Sequence, residues 1–345
     1  MDLPVNQIVE QDALKAPFPY FGGKSQVAQI VWKRFGSVRN YVEPFFGSGA
    51  VLLRRPLPFD GTETVNDLNG WLTNFWRALQ ADPDGVARYA DWPVSELDLH
   101  ARGDWLFYRP EASEFIERMR SDPAYYDVKS AGWWVWGQCC WIGSGWGPRK
   151  RTHLGNAGQG VSRQRPHLGD AGQGVNRQLP HQGDAGQGDE PQTARGVNLR
   201  AYLRQLAERL QVVRVCCGDW SRVCGPTPTV KQGLTAVFLD PPYGVADRSD
   251  CYGDTDDRLV SADVRKWCLE WGDDPRMRIA LCGYEGEHDM PESWDCVAWK
   301  ARGGYGSQSK QHENPNAHRE RIWFSPACLK TKTGHSGLFG PGVEM

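Results

Sequence analysis

The run Thr235-Ala236-Val237-Phe238-Leu239 is almost wholly apolar and ends abruptly on Asp240-Pro241-Pro242-Tyr243. A short apolar run rich in β-branched and aromatic residues predicts a strand buried on both faces, the kind a parallel sheet uses. Two successive prolines fix two φ angles, remove two N–H donors and hold the residue before them extended, so Asp240 sits in a stiff loop at the carboxyl end of that strand. Open α/β sheets bind their ligands at this edge. The loop offers a carboxylate, a carbonyl without a competing N–H neighbour, and a flat ring. That set suits a planar amine: two acceptors for its two hydrogens and a ring for its face. The same four residues also suit a plain proline turn after a core strand, so the rest of the chain must distinguish the two.

The stretch 24–35, KSQVAQIVWKRF, places Val27, Ile30, Val31 and Phe35 at helical spacing and predicts an amphipathic helix. Before it stands PYFGGK (19–24). In NYVEPFFGSGAVLLRR (40–55) a brief strand, a glycine loop and a helix start follow one another. Glycine lets the backbone approach a ligand, and a helix N-terminus offers free N–H groups. A further strand ends in TVNDLNG (64–70), whose Asp67 lies 24 residues after Glu43. That is close to the roughly 20-residue separation at which doubly wound folds set a carboxylate on ribose hydroxyls. Asp67 is also well placed to N-cap the next helix.

From about residue 75 to 210 the pattern turns to helical segments, a tryptophan cluster at 132–147 and a repeat of period 14 starting at His153, His167 and His181. Its glycine and polar content leaves nothing to bury, which predicts a flexible excursion. A helix follows at 197–213, then strands within 213–220, 235–240, 278–284, 294–301 and 320–326. Strands and helices thus alternate on both sides of a long insertion, the pattern of an α/β protein with a doubly wound sheet and an inserted domain.

The glycine loop lacks the third glycine of a dinucleotide fingerprint, and no GxxxxGK[ST] occurs. What remains is a ligand with a ribose and a carboxylate but no pyrophosphate, and S-adenosyl-L-methionine is such a ligand. The net charge of −2 leaves a nucleic-acid partner open, because phosphate contact depends on where basic residues cluster. Residues 146–214 hold eleven Lys or Arg against five Asp or Glu, and Arg149-Lys150-Arg151 is the densest run, placed either for phosphate contact or as a solvated loop. The ten cysteines include no CxxC and no zinc spacing, which predicts reduced core thiols and no metal. With no apolar stretch of membrane-spanning length and no basic-then-apolar leader, the expected place is the cytoplasm.

Taken in order, PYFGGK, EPFFGSGA, NDLN, CGDW and DPPY resemble the Dam-like, alpha-group DNA adenine N6-methyltransferases, including phage-type members. The resemblance implies a Rossmann-like S-adenosylmethionine-dependent methyltransferase sheet with an inserted, mostly helical target-recognition domain. Residues 1–75 would be the cofactor-binding part and 76–210 the insertion, with the repeat at 153–190. Residues 211–328 would be the catalytic part and 329–345 a flexible tail. The resemblance further implies that Tyr20, Gly22, Gly23 and Lys24 flank the cofactor and that Glu43, Pro44, Phe45, Gly47, Ser48 and Gly49 line its methionine end. Asp67 would hold the ribose, with Asp219 and Trp220 taking the adenine. Asp240, Pro241, Pro242 and Tyr243 would hold the target base, Tyr243 by stacking, and Asp240 also borders the cofactor. The family usually has Asp-Phe where this chain has Asp219-Trp220, and the long repeat is a larger departure. The expected partner is double-stranded DNA bound by a monomer. An Asp at the head of the catalytic motif favours adenine over cytosine, whose motif usually begins with Ser, and over RNA or protein nitrogen, where it often begins with Asn. A non-catalytic DNA-binding relative is the remaining alternative.

Overall fold

The computed structural model describes residues 14–20, 24–122, 124–141, 146–147, 192–243, 257–299 and 318–330. Gly22, Gly23, Arg149, Lys150, Arg151 and the repeat lie outside them, as does the tail beyond residue 330.

Thr235–Leu239 forms a strand, β4, with all five residues buried. It lies between β1 (Asn40–Glu43) and β5 (Met277–Tyr284) and runs parallel to both. Beyond β1 come β2 (Thr62–Asp67) and β3 (Val213–Cys217), also parallel. Beyond β5 the direction reverses: β7 (Glu320–Phe324) is antiparallel to β5, and β6 (Asp295–Ala298) pairs antiparallel with β7 at the margin. The order is β3-β2-β1-β4-β5-β7-β6. Strand order turns back between β1 and β4, so the crevice for a ligand opens outside their carboxyl ends.

Alternation along the strands divides the apolar residues between two faces. Tyr41, Ala236, Phe238, Ala280, Cys282, Ile322 and Phe324 enter one core, together with residues of the helices α1 (Ala28–Phe35), α2 (Gly70–Ala81), α3 (Pro83–Ala90), α4 (Glu96–Phe107), α5 (Ala112–Ser121), α6 (Val128–Cys140) and α7 (Gln192–Leu210). Val42, Val237, Leu239, Ile279, Leu281 and Trp323 enter the other, beneath α8 (Asp257–Trp271). The expected doubly wound α/β sheet is therefore present. Most of the tryptophan cluster is packing: Trp134 and Trp136 are fully buried, and Trp134 meets Phe18 edge-on at 5.1 Å.

Three local expectations change. The helix read over 24–35 begins at Ala28, after a turn at 24–27. The helix expected after the glycine loop amounts to one 3-10 turn, Leu52–Arg54. Pro56 explains this, because it drives Arg55 to extended backbone (φ −59°, ψ 128°) and the helix cannot continue. The cap of α2 is Asn69, whose side chain accepts from the N–H groups of Trp71 and Leu72, and Asp67 is left for another task. Asn69→Ala is expected to lower stability by about 1 kcal/mol, read by urea denaturation.

At the far end of β2, Glu63 anchors α7 to the sheet. It is 1% exposed and receives Arg55 at 3.1 Å and Arg209, from the last turn of α7, at 2.7 Å. Arg55 also donates to the carbonyl of Val38 and Arg209 to that of Leu52.

Candidate active site

Gly47 and Gly49 hold φ of 50° and 69°, the left-handed region that a side chain resists. A Cβ on Gly47 would stand 2.9 Å from the Tyr20 ring, so at this point the loop has room only for backbone. The indole N–H of Trp76 fixes the Gly47 carbonyl from below at 3.1 Å.

Asp67, at the carboxyl end of β2, accepts the N–H of Gly47 at 2.9 Å on one oxygen and that of Asn69 at 2.9 Å on the other. It thus clasps the loop while its unused lone pairs stay available. Burial raises its pKa to about 6 against these backbone donors. Beside it Asn66 ties three strand ends together. Its amide donates to the carbonyls of Pro44 and Gly218, and Phe46 N–H donates to its carbonyl.

Glu43 is 2% exposed and accepts from the Tyr41 hydroxyl at 2.7 Å and from the N–H of Leu52. Burial lifts its pKa well above the carboxylate range, against the hydrogen bond from Tyr41. Its carboxyl is thereby tied to Tyr41 and Leu52 at the root of the loop. Phe45 and Ser48 are half-buried, Phe45 packing against the second core. Across from them Asp219 is exposed and caps the turn Trp220–Val223 through the Ser221 N–H. Trp220 stays half-buried, with its ring 6.2 Å from Phe45 at 26° and edge-on to Trp267.

At the end of β4, Pro241 is buried and Pro242 half-buried. Asp240 Oδ1 receives Lys24 Nζ at 3.0 Å and the Tyr243 hydroxyl at 3.0 Å. Its Oδ2 has no partner among the described residues, and the side chain is 19% exposed. Lys24 also donates to the Tyr243 hydroxyl at 2.9 Å and stands 3.9 Å from Glu320 Oε2. Its pKa is raised: burial pulls it down, but Asp240 and then Glu320 outweigh that and keep the ammonium charged.

Tyr243 lies at the same corner. It is 5% exposed, its ring meets Tyr284 edge-on at 4.6 Å and 71°, and its hydroxyl reaches Glu320 Oε2 at 2.9 Å. The hydroxyl of Tyr243 thus joins Lys24, Asp240 and Glu320 at one corner of the site.

The structure thus brings together Tyr20, Lys24, the 43–49 loop, Asp67, Asp219, Trp220 and Asp240 to Tyr243 along one edge of the sheet, where five parallel strands end. Sequence reasoning missed Glu320 and Asn66. Glu320 carried one signal, an acid opening a strand that is otherwise buried, and Asn66 carried none. No group of His, Cys, Asp and Glu among the described residues is arranged to hold a metal, and no described helix is long and apolar enough to cross a membrane.

Residues 20–131 match the family model for the D12 class N6 adenine-specific DNA methyltransferase. The match takes in Lys24, the glycine loop, Asp67 and helices α1 to α5. No curated protein matches the chain.

Proposed function

We propose that this chain, whose residues 20–131 match the D12 class of N6 adenine-specific DNA methyltransferases, methylates the exocyclic amine of adenine in DNA, and that its residues divide the work as follows. The adenine amine is a weak nucleophile because its lone pair is delocalised into the ring, and inside a duplex it is paired. The target nucleotide has to leave the stack, at a cost of about a few kcal/mol. Asp240 Oδ2 and the Pro241 carbonyl then accept the two amine hydrogens, drawing the nitrogen towards sp³ and aiming its lone pair. The free amine is far too weak an acid for Asp240 to deprotonate first, so proton loss follows methyl transfer. Lys24 and Tyr243 hold the other carboxylate oxygen and fix its orientation, so catalysis rests on positioning and on acceptors aligned beforehand.

The observation that carries this reading is the asymmetry of Asp240: Oδ1 has Lys24 and Tyr243 at 3.0 Å, while Oδ2 has no partner among the described residues.

The residues fit S-adenosyl-L-methionine. The loop at Gly47 is a cradle that a Cβ would fill, Asp67 keeps acceptor capacity for a ribose, and Trp220 keeps part of an aromatic face for a purine. When bound, this cofactor supplies an electrophilic methyl group on a sulfonium. Tyr20, Lys24 and the 44–49 loop would border its methionine end, and Asp219 would accept from its adenine. The basic run Arg149-Lys150-Arg151 is proposed to meet DNA phosphates.

Two tests follow. Tritiated methyl supplied to unmethylated DNA is expected to appear in adenine, and label in cytosine or no label would overturn the assignment. Asp67→Ala is expected to weaken cofactor binding by about 1.5–3 kcal/mol, the range for a hydrogen bond to a charged group. With its pKa near 6, Asp67 takes up a proton as pH falls through that value and loses acceptor strength. Cofactor affinity measured by calorimetry should therefore drop below about pH 6 in the parent and not in Asp67→Asn. For folding the sign is opposite. The folded state holds this proton between its ordinary value of 3.8 and about 6, so the Asp67 contribution to stability declines as pH rises through that window.

A further inference from the structure

We propose that Asn66 is a positioning residue for the cofactor: its amide sets the distance between the two walls that grip the ends of S-adenosyl-L-methionine. The inference rests on the cofactor placement proposed above, with the 44–49 loop at the methionine end and Asp219 and Trp220 at the adenine.

Asn66 stands near the carboxyl end of β2 and is 1% exposed. In the sheet β2 lies between β1, which leads into the first wall, and β3, which leads into the second. The side-chain amide of Asn66 has two hydrogens, and both are used. One goes to the Pro44 carbonyl at 3.1 Å and the other to the Gly218 carbonyl at 2.9 Å, each on a buried residue. Turning the amide over would set its oxygen against two carbonyl oxygens, so its orientation is unambiguous. Oδ1 itself has no hydrogen-bond partner among the described residues, and an idle buried acceptor costs stability. What the side chain contributes therefore lies in its two donors.

The walls are not equally secure. The first is also held at Gly47, by Asp67 and by the Trp76 indole, and Phe46 N–H donates to the Asn66 main-chain carbonyl at 2.9 Å. The second leaves β3 at Gly218, whose φ of 143° marks a joint without the restraint of a side chain. Gly218 N–H donates to the Asp67 main-chain carbonyl at 3.0 Å, and the Asn66 amide holds the Gly218 carbonyl. A joint gripped at both its N–H and its carbonyl cannot swing, so Asp219 and Trp220 start from a fixed point. A ligand at one wall is indifferent to that spacing. One that spans both walls gains from having it set beforehand.

The test measures binding to the full chain of S-adenosyl-L-homocysteine, which spans both walls, and of adenosine and L-methionine, which occupy one each. For Asn66→Ala the expected result is an affinity for S-adenosyl-L-homocysteine lower by about tenfold or more in calorimetry, with inhibition constants of adenosine and L-methionine within about threefold of the parent. Methylation should show a raised KM for S-adenosyl-L-methionine and a kcat within about threefold, since the groups at Asp240 are untouched. An affinity for S-adenosyl-L-homocysteine within about threefold of the parent overturns the proposal, and so does a loss for the halves as large as for the whole, which is what damage to the walls themselves produces. If Asn66→Ala does not fold, Asn66→Ser carries the test. Its single hydroxyl hydrogen serves one carbonyl at a time, so the same split between whole and halves is expected, and a parallel loss overturns the proposal. If the parent itself binds no S-adenosyl-L-homocysteine, the cofactor placement fails instead.

Discussion

Asp240→Ala is expected to reduce methyl transfer by at least about 10²–10³-fold, the range seen when one aligned polar group is removed from a transition state. The size follows from where the lost atoms stand. Oδ2 is the accessible acceptor, and the amine cannot find a second one from a proline-rich loop that lacks the freedom to rearrange. The fold should persist, because Lys24 keeps the Tyr243 hydroxyl at 2.9 Å and Glu320 at 3.9 Å. Unchanged near-ultraviolet circular dichroism together with retained cofactor binding would confirm that only chemistry was lost. Asp240→Asn makes the test sharper. It keeps the shape and one acceptor oxygen but loses the charge, so it should remain at least about tenfold below the parent. Activity of Asp240→Ala within tenfold of the parent would sink the mechanism.

Glu63→Ala is expected to cost about 3–5 kcal/mol of stability, the range for breaking a buried ion pair by removing one partner. Here one carboxylate serves two guanidinium groups, Arg55 at 3% and Arg209 at 8% side-chain exposure, and its removal leaves both charges facing each other in the interior. Burial already lowers the Arg55 pKa, the sign of a cation held at a cost. Glu63 lies near the start of β2, away from its catalytic end at Asp67, so the folded fraction should keep the parent's kcat. Urea denaturation measures the loss, and a value below about 1 kcal/mol would show that water or a rearranged side chain takes the place of Glu63. Replacing all three residues with apolar ones of similar volume should restore most of the stability, since the trio owes its strength to mutual compensation.

Much of the candidate site's geometry was legible because its signals are local. A buried strand cut off by two prolines fixes Asp240, and a glycine-rich stretch after a short strand fixes the loop. What escaped was set by contacts between distant segments. Glu320 reaches Lys24 only because β7 runs against its neighbours, so that its beginning lies where the others end. Nothing around residue 320 announces the reversal. The cap of α2 was harder to read, because Asp67 and Asn69, two acceptors two residues apart, both suit it, and the structure gives it to Asn69. The burial of Tyr243 likewise depends on Tyr284, a residue of the adjacent strand. The helix predicted after the loop failed for a reason that was present in the sequence, Pro56, but lay just past the window that suggested it.

The shared core sets a limit on how such an enzyme can be recombined. Phe75 and Trp76 sit side by side within α2, both fully buried, in the same apolar mass that receives Trp134 from α6 and Tyr41 from the sheet. A cut at residue 75 severs that helix between its two largest fully buried side chains. The helices that follow cannot be traded between relatives as a cassette unless their seam with the sheet is traded too. A change of target sequence by transplantation would have to carry α2 whole, from Asn69 onward, or bring a repacked partner face with it.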